Sequence, residues 1–292
     1  MDAIIQVLLS GLTLGAMYAL GSIGLALTYG TMRMFNMAHG VFMTLGAYGA
    51  YTLAGQIGLP LWLAFLGGVA FASLIAGVMH LLMVRHMLGT QDFEINILVA
   101  TAGAGMLLQD LLLKTYGAYP FAQPVQIDGV FRIVGSTIPY QSLAILILAA
   151  VLLGGMGLIL TKTRFGLSIR ATAMNNEAAQ LMGVKTGRTY LTVLLMAGAL
   201  AGAAGIMISS LSTLSPEMGT NPAIRAFVIC VVAGLGSVSG AGFAAIVLGL
   251  FEAFVQFYVG ARYGLPLMLG LVIVVLIFRP AGLFGRQEVV RS

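Results

Sequence analysis

Two acidic residues, Asp110 and Glu252, sit within long apolar runs, and an ionisable group so placed can mark a proton or sodium path through a membrane. The same placement serves a span end or a local charge pair, which is the simpler reading of both. Asn36 and His39 lie in the stretch Met34 to Gly40 at the edge of an apolar run. They are candidates for a translocation path, and equally for hydrogen bonding at a helix end, because polar groups near lipid need partners whatever their function. Glu217 and Arg225 flank Pro216 and Pro222. That pair suits either a local ion pair or a charged rim that steers a soluble partner. His39, His80 and His86 are far apart and have no Cys/His cluster beside them, so no metal site is expected. None of Lys114, Lys162 and Lys185 follows a glycine, which removes the phosphate-binding loop GxxxxGK[ST], and no GxSxG nucleophile motif is present. The chain therefore reads as neither an ATPase nor a hydrolase, and no cofactor of its own is expected.

The elements that must position these residues are membrane spans. With 60% hydrophobic residues, 8% charged residues and a mean hydropathy of +1.03, the 292-residue chain cannot be solvated as a globule. Runs near the length a bilayer core demands occur at Ile4 to Tyr29, Val41 to Leu53, Leu61 to Val84, Ile95 to Leu113, Ser142 to Leu160, Tyr190 to Leu214, Ala223 to Leu235, Phe243 to Val259 and Pro266 to Phe278. Continuous apolar runs without strand alternation exclude a barrel. The expected fold is an all-α integral membrane protein, a polytopic bundle of about eight or nine transmembrane helices, in one membrane domain over residues 1–292.

The short segment Ala223 to Leu235 is expected as a half-helix or re-entrant piece, with Gly234, Gly236, Gly240 and Gly242 permitting sharp turns after it. Pairs of glycines four apart, Gly11 with Gly15, Gly198 with Gly202 and Gly236 with Gly240, suit close helix contact within the subunit or at an interface. Met1 to Ala3 lack the basic flank of a signal peptide, so the first run reads as a retained span. Cys230 lies in an apolar run and has no second cysteine to pair with. The net charge of +5 gathers in loops as topology requires and implies no nucleic acid. If nine segments cross, Arg33, Arg85, five cations in Thr161 to Arg188, Arg279, Arg286 and Arg291 share one side. Lys114, Arg132, Arg225 and Arg262 take the other, which places the N-terminus outside and the C-terminus in the cytoplasm.

The 28-residue polar interruption Thr161 to Arg188 holds five of the fourteen Lys and Arg residues. Within it, Leu167 to Met182 predicts one short amphipathic helix, preceded by Gly166 and followed by Gly183. Such a helix can dock in a partner's groove or rest on membrane lipid, and its alanines favour protein docking.

Thr163 to Val184 (TRFGLSIRATAMNNEAAQLMGV) closely resembles the coupling loop of LivH-type permeases, the membrane subunits of branched-chain amino acid ABC importers. Gly11 to Leu20 (GLTLGAMYAL), Met34 to Gly40 (MFNMAHG), Gly234 to Gly242 (GLGSVSGAG) and Phe278 to Gly285 (FRPAGLFG) agree with the same family, so the resemblance spans nearly the whole chain. Met37 stands where many relatives carry phenylalanine, and Arg225 where many carry lysine. The resemblance implies a permease subunit of a bacterial inner membrane. Its partners would be a LivM-type permease, LivG- and LivF-type ATPases that bind ATP and Mg²⁺, and a periplasmic substrate-binding protein. It also implies ATPase coupling through Gly166, Arg170, Asn175, Asn176, Glu177, Ala178, Ala179 and Gly183. Similar permeases serve urea and short amides, and a stand-alone channel or secondary carrier is the reading from a different class.

Overall fold

Every apolar run marked in the sequence is helical over most of its length in the computed structural model, which describes residues 2–133 and 136–285. In lipid a backbone without water must satisfy its own hydrogen bonds, and long Ala-, Leu- and Gly-rich segments do so as helix. Among the described residues, seven helices are long and apolar enough to cross a membrane: Ala3–Met32, Leu61–Met87, Phe93–Tyr116, Tyr140–Lys162, Thr186–Leu211, Val238–Tyr258 and Ala261–Phe278. In chain order the helices are α1 (Asp2–Met32), α2 (His39–Tyr51), α3 (Leu61–Met79) continued through a π turn into α4 (Arg85–Met87), α5 (Phe93–Tyr116) and α6 (Tyr140–Lys162). They continue with α7 (Arg164–Met174), α8 (Asn176–Leu181), α9 (Thr186–Leu211), α10 (Thr220–Ala233), α11 (Val238–Tyr258) and α12 (Gly264–Phe278). The fold is an all-α polytopic bundle, as the sequence predicts.

The centre of the bundle is α9 with α1, α2 and α3 around it, and α11 packs along α1. Two thirds of the apolar window of α9 is buried (67%), against 17–28% for the windows in α3, α5, α6 and α12, so those four form the periphery. Small residues set the spacing. A Cβ on Gly11 would stand 2.8 Å from Leu250 Cα and one on Gly15 2.8 Å from Ile246 Cα, so α1 and α11 touch backbone to backbone. Gly198 meets α3 at Ala72 and Ala76, and Gly202 meets Gly46 of α2. Two of the three sequence-marked glycine pairs thus pack helices within this subunit.

One end of the bundle, the hairpin end, carries a small β layer. Strand β1 (Phe121–Ala122) pairs antiparallel with β4 (Thr213–Leu214), and β2 (Val130–Ile133) with β3 (Ser136–Pro139). Gln123 ties this layer down by donating to Ala47 O (3.1 Å) and Ser209 Oγ (2.9 Å), while Gln141 donates to Ser210 Oγ (2.6 Å). At the opposite end stand α7 and α8 and the C-terminal tail. The tail donates from Leu283 N to Val232 O and from Phe284 N to Ala233 O, both at 2.8 Å, which satisfies the last carbonyls of α10. Gly234 (φ +98°) and Gly236 (φ +84°) make the turn out of α10, whereas Gly240 and Gly242 lie inside α11, not in the turn expected of them.

Helix alternation puts Arg33, Arg85, Lys162 and Arg279 at the α7–α8 end, and Lys114 and Arg262 at the hairpin end. Arg286 and Arg291, counted in the topology argument, lie outside the described residues.

Candidate functional site

Two apolar helices begin in the middle of the bundle instead of at one of its ends, α2 with 13 residues, prolonged by a π turn to Gln56, and α10 with 14. His39, the first residue of α2, reaches Nε2 to Gly21 O, well inside α1, at 2.9 Å. Ala38 packs against Gly105 at the middle of α5, and Gly24 of α1 faces both His39 and Ala197, the latter at the middle of α9. From there α2 runs to the hairpin end, where Tyr48 and Tyr51 cluster with Tyr116 and Phe121. Helix α10 starts at the same level, since a Cβ on Gly40 would meet Gly219 O at 2.8 Å and Ala223 Cβ at 2.9 Å. It runs the other way, to the turn where Gly236 lies against Gly30 near the end of α1. Non-helical segments 33–38 and 215–219, both ending in turns, complete the two crossings. Two broken spans therefore meet N-terminus to N-terminus at mid-depth, the arrangement by which irregular backbone is accommodated around a path inside a membrane protein.

A cavity of about 460 Å³ opens at this junction. Phe35, Asn36, Met37, His39, Gly40, Val41 and Thr44 line it from the α2 side, Leu98, Ala102, Gly105, Met106 and Gln109 from α5, and Pro216, Thr220, Ala223, Ile224 and Phe227 from α10 and its lead-in. Its volume lies in the roughly 300–1,000 Å³ range of small-molecule sites, and its wall is mainly apolar with a few polar groups. A second cavity of about 520 Å³ shares Met106, Gln109 and Pro216 as walls and carries Asp110 and Glu217 toward the hairpin end.

Asn36 and His39, paired by the sequence reading, are brought together here. Asn36 Oδ1 accepts from Ala38 N (3.0 Å) and its carbonyl accepts from His39 N (3.2 Å), so it also holds the start of α2. Asn36 Nδ2 and His39 Nδ1 are buried, and neither has a hydrogen-bond partner among the described residues. Thr220, Ile224 and Phe227 were not marked in the sequence. The signal available was the break at Pro216, Gly219 and Pro222, which announces that the segment starts anew near residue 220.

Glu252, the third residue considered for the path, lies elsewhere. It is fully buried and pairs with Arg225, with Nη2 to Oε1 at 2.8 Å and Nε to Oε1 and Oε2 at 3.0 and 3.2 Å. Tyr18 Oη donates to Oε2 (2.9 Å) and Gln256 Nε2 to Oε1 (3.1 Å). Arg225 is therefore not a rim charge at the outer face and not the partner of Glu217. A guanidinium one turn into α10 is inside the bundle, and burial requires it to find a carboxylate there. Glu217 is exposed at the second cavity, and Asp110 pairs with Lys114 (2.9 Å) at an exposed helix surface. Among the described residues no group of three or more His, Cys, Asp and Glu is arranged to hold a metal ion.

The predicted amphipathic helix Leu167 to Met182 is two helices. Thr163 caps α7, with Gly166 N donating to Thr163 Oγ1 (3.1 Å), so α7 begins three residues early and Gly166 is inside its first turn. There the glycine lies against the Ile159 and Leu160 carbonyls with no room for a side chain. Asn175 breaks the run in extended backbone (φ −158°, ψ 111°) and caps α8 by accepting from Ala178 N (2.9 Å). Asparagine competes for backbone donors in this way, which is why it starts helices more readily than it continues them. Gly183 (φ +84°) ends the motif. Ile169, Thr172 and Ala179 are buried beneath it, while Arg170, Asn176, Glu177 and Ala178 are exposed beside Met174, Leu181 and Met182, each more than 80% exposed.

Residues 7–277 match the family model described as branched-chain amino acid transport system / permease component. The chain belongs to this family of permeases. It is similar to the high-affinity branched-chain amino acid transport system permease protein BraD of Pseudomonas aeruginosa, 29% identical over 98% of this chain and 97% of BraD. It is also similar to LivH of Escherichia coli K12, 27% identical over 98% of this chain and 96% of LivH. The probable LivH of Methanocaldococcus jannaschii is 28% identical over 90% of this chain and 87% of its own. Membership of a permease family agrees with a multi-pass membrane protein whose broken spans enclose a cavity.

Proposed function

We propose that this chain forms half of the translocation path of an ATP-driven importer for branched-chain amino acids, the path passing the cavity where α2 and α10 meet. The observation that carries this reading is the pair of opposed broken spans around an apolar cavity, in a chain whose relatives are permeases named for that substrate class. The other half is a second permease of the LivM type. The α7–α8 surface is the docking face for cytoplasmic ATPases of the LivG and LivF type, which bind ATP and Mg²⁺; this chain is not itself an enzyme. That face defines the inner side of a bacterial inner membrane, so the N-terminus is outside and the tail after α12 is cytoplasmic. The opposite end, with Glu217 at the mouth of the second cavity, receives the substrate-binding protein. Closure of the ATPase pair pushes on α7 and α8 through Arg170, Asn175, Asn176, Glu177 and Ala178, and because α7 packs on α1, α6 and α9 the push reaches the core.

A proton- or sodium-driven carrier is a poorer fit. Glu252 is neutralised by Arg225, and Asp110 is exposed beside Lys114. In proteoliposomes holding the complete importer, Arg170→Ala and Glu177→Ala should leave ATP hydrolysis running while lowering uptake per ATP. Unchanged uptake per ATP in both variants would refute coupling through this surface.

A further inference from the structure

The mid-depth cavity has a chemical polarity that its apolar wall conceals. Helices α2 and α10 both start there without a side-chain cap; the first N–H of each already donates to a backbone carbonyl, His39 N to Asn36 O and Thr220 N to Glu217 O, and Pro222 has none, so what converges on the space is chiefly the two positive dipole ends. Asn36 is fixed in orientation: its Oδ1 is occupied by Ala38 N, so the group left over is the Nδ2 donor, buried and unpartnered at the cavity wall. His39 is fixed as well. Gly21 O can only accept, so Nε2 carries the hydrogen, and in the neutral ring the unpartnered Nδ1 is an acceptor. A buried donor and a buried acceptor three residues apart, both unsatisfied, call for a ligand presenting the complementary pair.

We infer that this cavity is a head-group site for a zwitterionic α-amino acid. The carboxylate takes Asn36 Nδ2 and the helix starts, the ammonium faces His39 Nδ1, and the aliphatic side chain lies against Phe35, Ile224 and Phe227. The inference rests on the permease reading above and deepens it, because it places recognition of the α-carboxylate in the membrane subunit itself. Urea can accept from Asn36 Nδ2 and donate to His39 Nδ1, but it carries no net charge for the two positive helix ends to stabilise, so the site favours a carboxylate over an amide.

The test uses the complete permease–ATPase complex in nanodiscs, without binding protein, so that any selectivity belongs to the membrane part. Met37, half-exposed in the cavity, is replaced by cysteine on a Cys230→Ala background and its reaction with a methanethiosulfonate is timed. Ala102→Cys, on the α5 wall, serves as a second reporter should the first disturb assembly. Leucine should slow labelling by about threefold when present at twice its dissociation constant. Leucinamide should give almost no protection, 4-methylpentanoate should protect less than leucine, and Asn36→Asp should abolish protection by leucine.

Equal protection by leucinamide and leucine would overturn the carboxylate assignment, and equal protection by 4-methylpentanoate the role of His39. Absence of protection by leucine at both reporters, in a complex that performs ATP-driven uptake, would overturn the site while leaving the permease reading intact. Failure of the complete importer with unaltered Asn36 and Met37 to take up branched-chain amino acids on ATP would overturn both.

Discussion

Arg225→Met strips a fully buried carboxylate of its cation. The guanidinium makes three close contacts to Glu252, and after the substitution only Tyr18 and Gln256 remain to solvate a charge with no exposure to water. Breaking one side of such a pair costs about 3–5 kcal/mol, far more than the 0–1 kcal/mol typical of surface pairs. Tyr18→Phe deletes a single hydrogen bond to the same charge and should cost about 1.5–3 kcal/mol. Replacing both partners, Arg225→Met with Glu252→Leu, removes the stranded charge and should return to within about 1–2 kcal/mol of the unaltered protein, because apolar isosteres of a buried pair are often neutral. Unfolding in mixed dodecylmaltoside–SDS micelles, followed by circular dichroism, measures the unaltered protein, these three variants and Glu252→Leu alone. The pair holds α10 against α1 and α11, so the single variants should also lose uptake that the double variant partly recovers. Additive losses, with the double variant as unstable as the sum of the singles, would refute the reasoning.

Gly205→Ala drives a methyl group into the Met43 carbonyl where α9 crosses α2, and overpacking of about 1–3 kcal/mol should appear as a lower yield of monodisperse protein in size-exclusion chromatography. Asn175→Ala removes the cap of α8 at a cost of about 1 kcal/mol, and ATPase stimulation by the binding protein should fall while Asn175→Asp retains it. Deleting residues 281–292 frees the Val232 and Ala233 carbonyls, and amide hydrogen exchange at the end of α10 should quicken about tenfold, the effect of losing about 1.4 kcal/mol locally.

Much of this was legible in the sequence because the bilayer imposes one simple rule on length and hydropathy. The nine apolar runs are helical over most of their length, and Ala223 to Leu235, the one that looked too short to cross upright, is a broken span; Val41 to Leu53, read as an ordinary span, is the other. Their meeting point was not legible, since it depends on Gly40 of one segment facing Gly219 of another 179 positions away. Asn36 and His39 were legible as polar residues at a membrane boundary, whereas the fold carries them back to mid-depth beside Gly21 of α1. Glu252 pairs with a charge, as the simpler reading of it held, but the partner was not legible: it and Arg225 were each read against its own segment, and only the tertiary fold reveals that they neutralise one another. The coupling segment was found by its charge, but its division into two helices turned on Asn175, whose capping competes with a helical pattern that otherwise runs through it.

Transport in proteoliposomes tests the central claim most directly. Purified chain, its permease partner, the ATPases and the binding protein are reconstituted, and radiolabelled leucine uptake is followed with ATP inside, with ATP withheld, and with the ATPases omitted. The account predicts accumulation only when every component and ATP are present. Equal accumulation by this chain without the ATPases, driven by an ion gradient alone, would contradict it and assign the cavity to a secondary carrier.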